Sequence, residues 1–140
     1  MKKVTTLLLA LCLTIGLVAC GGDKKTEEKK TEPLSLVGEW QEAQQNSTYH
    51  IATITDDTIK VYWYTPKDET KALYWEGTYE PPKDDAKTYE WTSKANREAL
   101  DSSLLASRDS EKKFAYDGKY LTYEVTAMGV TKKVRLEKVK

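Results

Sequence analysis

The chain has 140 residues, of which 22 are basic and 22 acidic, for a formal net charge of zero. A balanced chain of this kind lacks the electrostatic footprint of a nucleic-acid binder. Both cysteines, Cys12 and Cys20, lie in the first 20 residues, so the rest of the chain has no thiol with which to staple itself.

The first element in chain order is a secretory signal. Met1-Lys2-Lys3 precedes an apolar run over 4–18, and Leu17-Val18-Ala19-Cys20-Gly21-Gly22 follows. Two lysines, a short hydrophobic core and a small residue before the cut are the parts of a cleaved leader. Residues 4–19 number only 16, short of the roughly 20 that a bilayer-spanning helix needs. The Leu-Val-Ala-Cys ending resembles the lipobox of bacterial lipoproteins. The resemblance implies that a diacylglyceryl group joins the Cys20 sulfur and that the peptide is cut just before it. It also implies a protein held by lipid on the extracytoplasmic face of the cell membrane. Loss of residues 1–19 leaves 20 basic against 22 acidic residues, a net charge of −2. Such a balance offers no basic patch as a second membrane attraction.

Residues 20–33 form the next element, with GGDKKTEEKKTEP following the cysteine. Dense mixed charge and no large apolar side chain predict a flexible tether, because burial cannot offset its ordering entropy. One domain is expected over 34–140. It carries all 14 aromatic residues of the chain. About 100 residues suffice for an apolar core without disulfides.

Aromatic, valine and threonine residues in period-two alternation predict strands near 38–44, 49–55, 58–65, 71–80, 87–94, 102–107, 111–116, 119–127 and 130–139. Ile59, Val61 and Trp63 share one strand face; Leu73, Trp75 and Tyr79 share another. Leu121, Tyr123, Val125 and Ala127 alternate, as do Val134 and Leu136. Asp56-Asp57, Asp117-Gly118 and Met128-Gly129 punctuate the runs, and Asp117-Gly118 reads as a type I′ hairpin. The segment 96–105 is ambiguous. Arg97, Glu98, Ala99 and Leu100 favour a helical turn, whereas Leu104 and Leu105 suit the start of a strand. Eight or nine short antiparallel strands with short connections predict an all-β meander, which hides its edges most simply by closing into a small barrel.

Gly38-Glu39-Trp40 opens the first strand and resembles the Gly-x-Trp signature of lipocalins and related calycin barrels. The resemblance implies that Trp40 closes one barrel end and that an arginine of the last strand, here Arg135, packs across it. An indole face attracts a guanidinium, which gives that pairing a physical basis. The domain is short for a lipocalin and lacks a second motif of that family. An eight-stranded barrel can be filled by its own side chains, which argues against a large ligand cavity. The domain is also similar to small lipoproteins of Gram-positive bacteria and their prophages.

Catalytic equipment is sparse, and no enzyme activity, cofactor or metal is expected. His50 is the only histidine and has no cysteine partner, which makes a poor metal site; a structural or surface role is expected of it. No nucleophile-elbow, phosphate-loop or zincin motif occurs. Asp56-Asp57, Asp68-Glu69 and Asp84-Asp85 sit in turns, where aspartate bonds to local backbone. With Trp63 and Trp75 inward, alternation places Tyr62, Tyr64 and Tyr74 outward on neighbouring strands. Exposed tyrosines on a rigid sheet suit protein or glycan contact. The expected function is therefore a monomeric, non-catalytic binding module that meets a cell-surface protein, a glycan or a phage component. The other reading is a small carrier of an apolar ligand.

Overall fold

A computed structural model describes residues 31–140. The expected signal peptide, Cys20 and the tether up to residue 30 lie outside the described residues. Eight strands follow in order: β1 (Gly38–Glu42), β2 (Tyr49–Ile54), β3 (Thr58–Thr65), β4 (Thr70–Thr78), β5 (Tyr89–Lys94), β6 (Glu111–Tyr116), β7 (Tyr120–Ala127) and β8 (Val130–Lys138). One short helix, α1 (Arg97–Asp101), separates β5 from β6. The expected strand over 102–107 does not form. Asn96 caps the helix through Ala99 N–H, and Leu100 is drawn fully into the core.

The strands form one antiparallel sheet in the order β4-β3-β2-β1-β8-β7-β6-β5. This is the expected meander, bent into a nearly closed barrel compatible with a calycin-like architecture. Closure joins β4 to the end of β5. Gly77 bridges Ala95, Asn96 N–H donates to Glu76 O at 2.8 Å, and Trp75 Nε1 donates to Ser93 Oγ at 3.0 Å. A side chain at residue 77 has no room there: a Cβ would lie 2.5 Å from Lys94 O and from Ser93 Oγ. Above this seam, the segment after α1 lies along the β4 edge. Ser103 Oγ reaches Leu73 O, and Ser107 N–H reaches Tyr74 O at 2.8 Å.

Alternation supplies the interior as the pattern requires. Ile59 and Val61 of β3, Leu121, Tyr123 and Val125 of β7, and Val134 and Leu136 of β8 are buried. Trp91 stacks on Phe114 with centroids 5.1 Å apart. One irregularity changes the expected pattern on β4. Val61 pairs with Trp75, but Tyr62 pairs with Leu73, so Tyr74 is an extra residue in a β-bulge. A bulge lets two successive side chains turn to one face. Tyr74 and Trp75 are consequently both buried, and Leu73 takes the outward register position opposite Tyr62.

Two tight hairpins differ in kind. Met128 and Gly129 both have positive φ, 52° and 77°, the type I′ requirement. At the β6–β7 turn only Gly118 has positive φ, and Asp117 N–H meets Tyr120 O at 3.2 Å. Glycine at the first central position is type II′. This corrects the type I′ expectation for Asp117-Gly118. The Asp117 carboxylate instead accepts Lys119 N–H and Tyr120 N–H.

Because the strands alternate in direction, the barrel has two distinct ends. The terminal end receives the chain before β1 and the close of β8. The loop end carries the connections after β1, β3, β5 and β7.

Candidate functional site

Trp40 lies at the terminal end, 2 % exposed. Its indole N–H donates to Leu36 O at 2.9 Å, and Tyr116 meets it edge-on at 5.9 Å. Gly38 adopts φ +134°, a conformation that L side chains rarely adopt, which explains the glycine of the Gly-x-Trp segment. The cation beside the indole is not Arg135. Val134 and Leu136 point inward, so Arg135 is exposed on the outer face. Lys138, on the same register parity as Leu136 and paired with Trp40, holds its ammonium 5.8 Å from the ring centroid. Its Nζ also donates to Ser35 O at 3.2 Å. The barrel-closing part foreseen for Arg135 therefore falls to Lys138.

The outer face of β2, β3 and β4 carries the expected tyrosines in altered membership. Tyr62 and Tyr64 are there and half-buried. Tyr74 is not: it is 5 % exposed and faces the interior, turned in by the bulge. Its outward place is filled by other residues. Tyr49 stands opposite Tyr64, and Ile51 and Leu73 stand opposite Tyr62. The rings of Tyr49 and Tyr64 meet edge-on at 5.4 Å, and the hydroxyls of Thr48 and Thr65 share a hydrogen bond at 3.0 Å. The face is thus an apolar-aromatic strip with phenolic rims, flanked by the Lys60–Glu76 ion pair.

A second cluster lies inside the loop end. His50 is 2 % exposed and packs against Trp63 at 3.9 Å, Tyr74 at 5.3 Å and Tyr123 at 5.8 Å. Neither ring nitrogen has a hydrogen-bond partner, and neither has the Tyr123 hydroxyl. Glu42 Oε2 accepts His50 backbone N–H at 3.0 Å and lies 3.9 Å from His50 Nδ1. Glu42 Oε1 meets Lys132 Nζ at 3.2 Å. Burial lowers the His50 pKa to about 4, against a smaller upward pull from Glu42. Burial raises the Tyr123 phenol well above its usual value, and the nearby Tyr74 and Glu42 add to that. The imidazole is therefore neutral and the phenol protonated at neutral pH.

Lys112 borders this cluster from β6, its side chain 6 % exposed. Its ammonium lies 5.4 and 5.3 Å from the Tyr74 and Trp75 rings. Asp109 compensates the charge at 2.8 Å, and this hydrogen bond lowers the aspartate pKa.

The chain pattern held a signal for this cluster. Glu42 follows Trp40 by two residues, and His50 precedes Ala52 and Ile54 by the same step, so alternation points both inward. Only the bulge at Tyr74 and the closure of the sheet bring the tyrosines to them. Among the described residues no three His, Cys, Asp or Glu side chains gather. No protein-family model, no curated protein and no solved structure matches the chain.

Proposed function

We propose that the chain is a lipid-anchored extracytoplasmic protein, attached through Cys20, whose barrel is a non-catalytic binding module. The outer strip of Ile51, Tyr62 and Tyr64, backed by the buried Tyr49, is its contact surface for a cell-surface protein, a cell-wall glycan or a phage component. The observation that carries this reading is the register of the strip. Tyr49 with Tyr64, and Ile51 with Tyr62, form adjacent cross-strand pairs on one rigid face. Meanwhile the largest fully buried side chains, Trp40, Trp75 and Phe114, occupy the interior. A carrier of apolar ligands needs that interior volume for its cargo.

The test is adhesion of the folded protein to isolated host envelopes. Tyr62→Ser combined with Tyr64→Ser is expected to weaken adhesion at least tenfold with little change in stability. Tyr74→Ser is expected to act through the fold instead, because Tyr74 is in the core. Undiminished adhesion of the Tyr62/Tyr64 variant overturns the assignment of the strip. Stoichiometric micromolar binding of a fatty acid or apolar dye, with quenching of tryptophan fluorescence, establishes the carrier instead.

A further inference from the structure

The β7–β8 hairpin runs on past the strands that flank it. β1 pairs with β8 only at Leu136, Glu137 and Lys138, and the last bond on that side is Ala43 N–H to Arg135 O at 3.0 Å. The chain bends away at Ala43 and Gln44, so among the described residues 130–134 are paired by β7 alone. We propose that this open edge of β8 receives an extended acidic segment of a protein partner, which adds as an antiparallel strand in line with β1. The proposal does not depend on the outer tyrosine strip.

Hairpin parity fixes which backbone groups the edge offers. Ala127 and Val130 flank the two-residue turn at Met128-Gly129, and the pair flanking such a turn exchanges both hydrogen bonds. Even-numbered residues of β8 therefore bond to β7, and odd-numbered ones turn their N–H and C=O to the other side. Arg135 O, which accepts from Ala43, and Val139 N–H, which donates to Glu39 O, obey that rule. Thr131 and Lys133 present the same groups beyond the end of β1, and both residues are exposed. A cleft of about 330 Å³ lies at this edge, lined by Glu42, Ala43, Gln44, Lys132, Lys133 and Arg135. The opposite edge of the hairpin is plugged. The β6–β7 ladder stops at Phe114 and Tyr123, and there Lys112 Nζ takes Glu124 O at 3.3 Å and the Asp109 carboxylate at 2.8 Å.

Charge selects the occupant. Three cations line the cleft against one carboxylate, Glu42, and Lys132 already engages Glu42 at 3.2 Å. Glu137 is taken by Lys119 at 3.8 Å. Glu124 stands opposite Lys133 in register, yet among the described residues neither Lys133 nor Arg135 has an ion-pair partner. Val134 between them is buried, so both cations share the outer face. Lysine on an exposed edge repels another edge of the same kind, and like charges facing across strands weaken pairing. A second copy of this edge is thereby disfavoured. A strand with carboxylates at alternate positions instead sets them over Lys133 and Arg135. Its intervening apolar positions meet Val130, which is 68 % exposed. Strand addition of this kind draws affinity from main-chain bonds and specificity from alternate side chains.

Fluorescence anisotropy of the purified full chain with a labelled peptide of alternating glutamate and valine tests the edge. The expected result is saturable binding at one equivalent that weakens as salt is raised. In an antiparallel strand the residues opposite Thr131 and Lys133 turn their own N–H groups toward β8. N-methylation of the peptide at its glutamates is therefore expected to abolish binding, whereas N-methylation at its valines is expected to retain it. Lys133→Ala with Arg135→Ala is expected to weaken binding by about tenfold or more at an unchanged melting temperature, since both side chains are exposed. Tyr62→Ser with Tyr64→Ser is expected to leave peptide binding unchanged, so failure here and failure of the outer strip are distinguishable. Absence of binding up to about 1 mM peptide overturns the proposal. Equal binding of the two N-methylated peptides reduces the contact to charge attraction and also overturns it. Sedimentation showing a dimer that excludes the peptide assigns the edge to a second copy and overturns it as well.

Discussion

At Trp40 a single side chain joins the segment before β1, the first strand and the last. Its burial and its bond to Leu36 O place Trp40→Ala at a cost of about 3–5 kcal/mol, the range for truncating a buried large aromatic. Arg135→Lys is expected to change stability by less than about 0.5 kcal/mol, as surface substitutions usually do. Lys138→Ala is expected to cost about 0.5–1 kcal/mol, the worth of an exposed cation–π contact. Urea unfolding of the three variants checks the order, and a large effect at Arg135 with none at Lys138 contradicts the assignment. His50 gives a second prediction at this scale. Its folded pKa is about 4 against 6.5 as the ordinary value. The unfolded chain therefore takes up the proton first as pH falls, and stability declines between about pH 6.5 and 4. The total loss is on the order of 3 kcal/mol, at about 1.4 kcal/mol per unit of pKa difference. His50→Phe is expected to flatten that part of a stability–pH profile. An unchanged slope places the titrating group elsewhere.

Among the elements, the hairpins and the seam are where local chemistry meets the fold. Met128 adopts φ +52° and is fully exposed, so the turn demands a left-handed residue and makes no use of the thioether. Met128→Asn is expected to stabilise by about 0.5–1 kcal/mol, because asparagine tolerates that conformation. Gly77→Ala is expected to destabilise by about 1–3 kcal/mol or more, the scale of overpacking. Its Cβ meets Lys94 O and Ser93 Oγ where β4 closes on the end of β5. Thermal melts check both, and a neutral Gly77→Ala shows that the seam is loose. All eight strands lie within about two residues of expected bounds, because alternation and turn residues are local signals; the ninth expected strand, over 102–107, does not form. β4 shows the limit of that reading. Period two assumes an unbroken ladder, and one bulged residue turned Tyr74 inward and shifted Leu73 to the register position opposite Tyr62. The stretch around α1 was ambiguous for a related reason. Leu104 and Leu105 have strand propensity but remain exposed, while Leu100 finds the core by way of a helical turn.

Over the whole molecule, residues 34–140 contain no cysteine, and burial alone holds the barrel. The domain over 31–140 is expected to fold alone, with a β-rich circular dichroism spectrum and a melting temperature that reductant leaves unchanged. A mainly helical spectrum or a thiol-dependent melt refutes this. The class of the fold was legible because composition, period-two alternation and short connections all point to an antiparallel meander. Its order follows once each strand pairs with the next. The proposed leader and lipobox-like Cys20 rest on sequence alone, since such segments are read as linear signals. What only the tertiary structure decided is which residues meet across long separations. Lys138 rather than Arg135 lies beside Trp40 because strand parity, set by the β1–β8 pairing, decides which side chains face inward. Glu42, His50, Tyr74 and Tyr123 come from four strands, and no spacing along the chain announces them. They gather because the sheet curls until β4 nearly meets β5, which carries distant inward positions to a common centre. Local pattern determines whether a residue faces in or out, and closure of the barrel determines what it finds there.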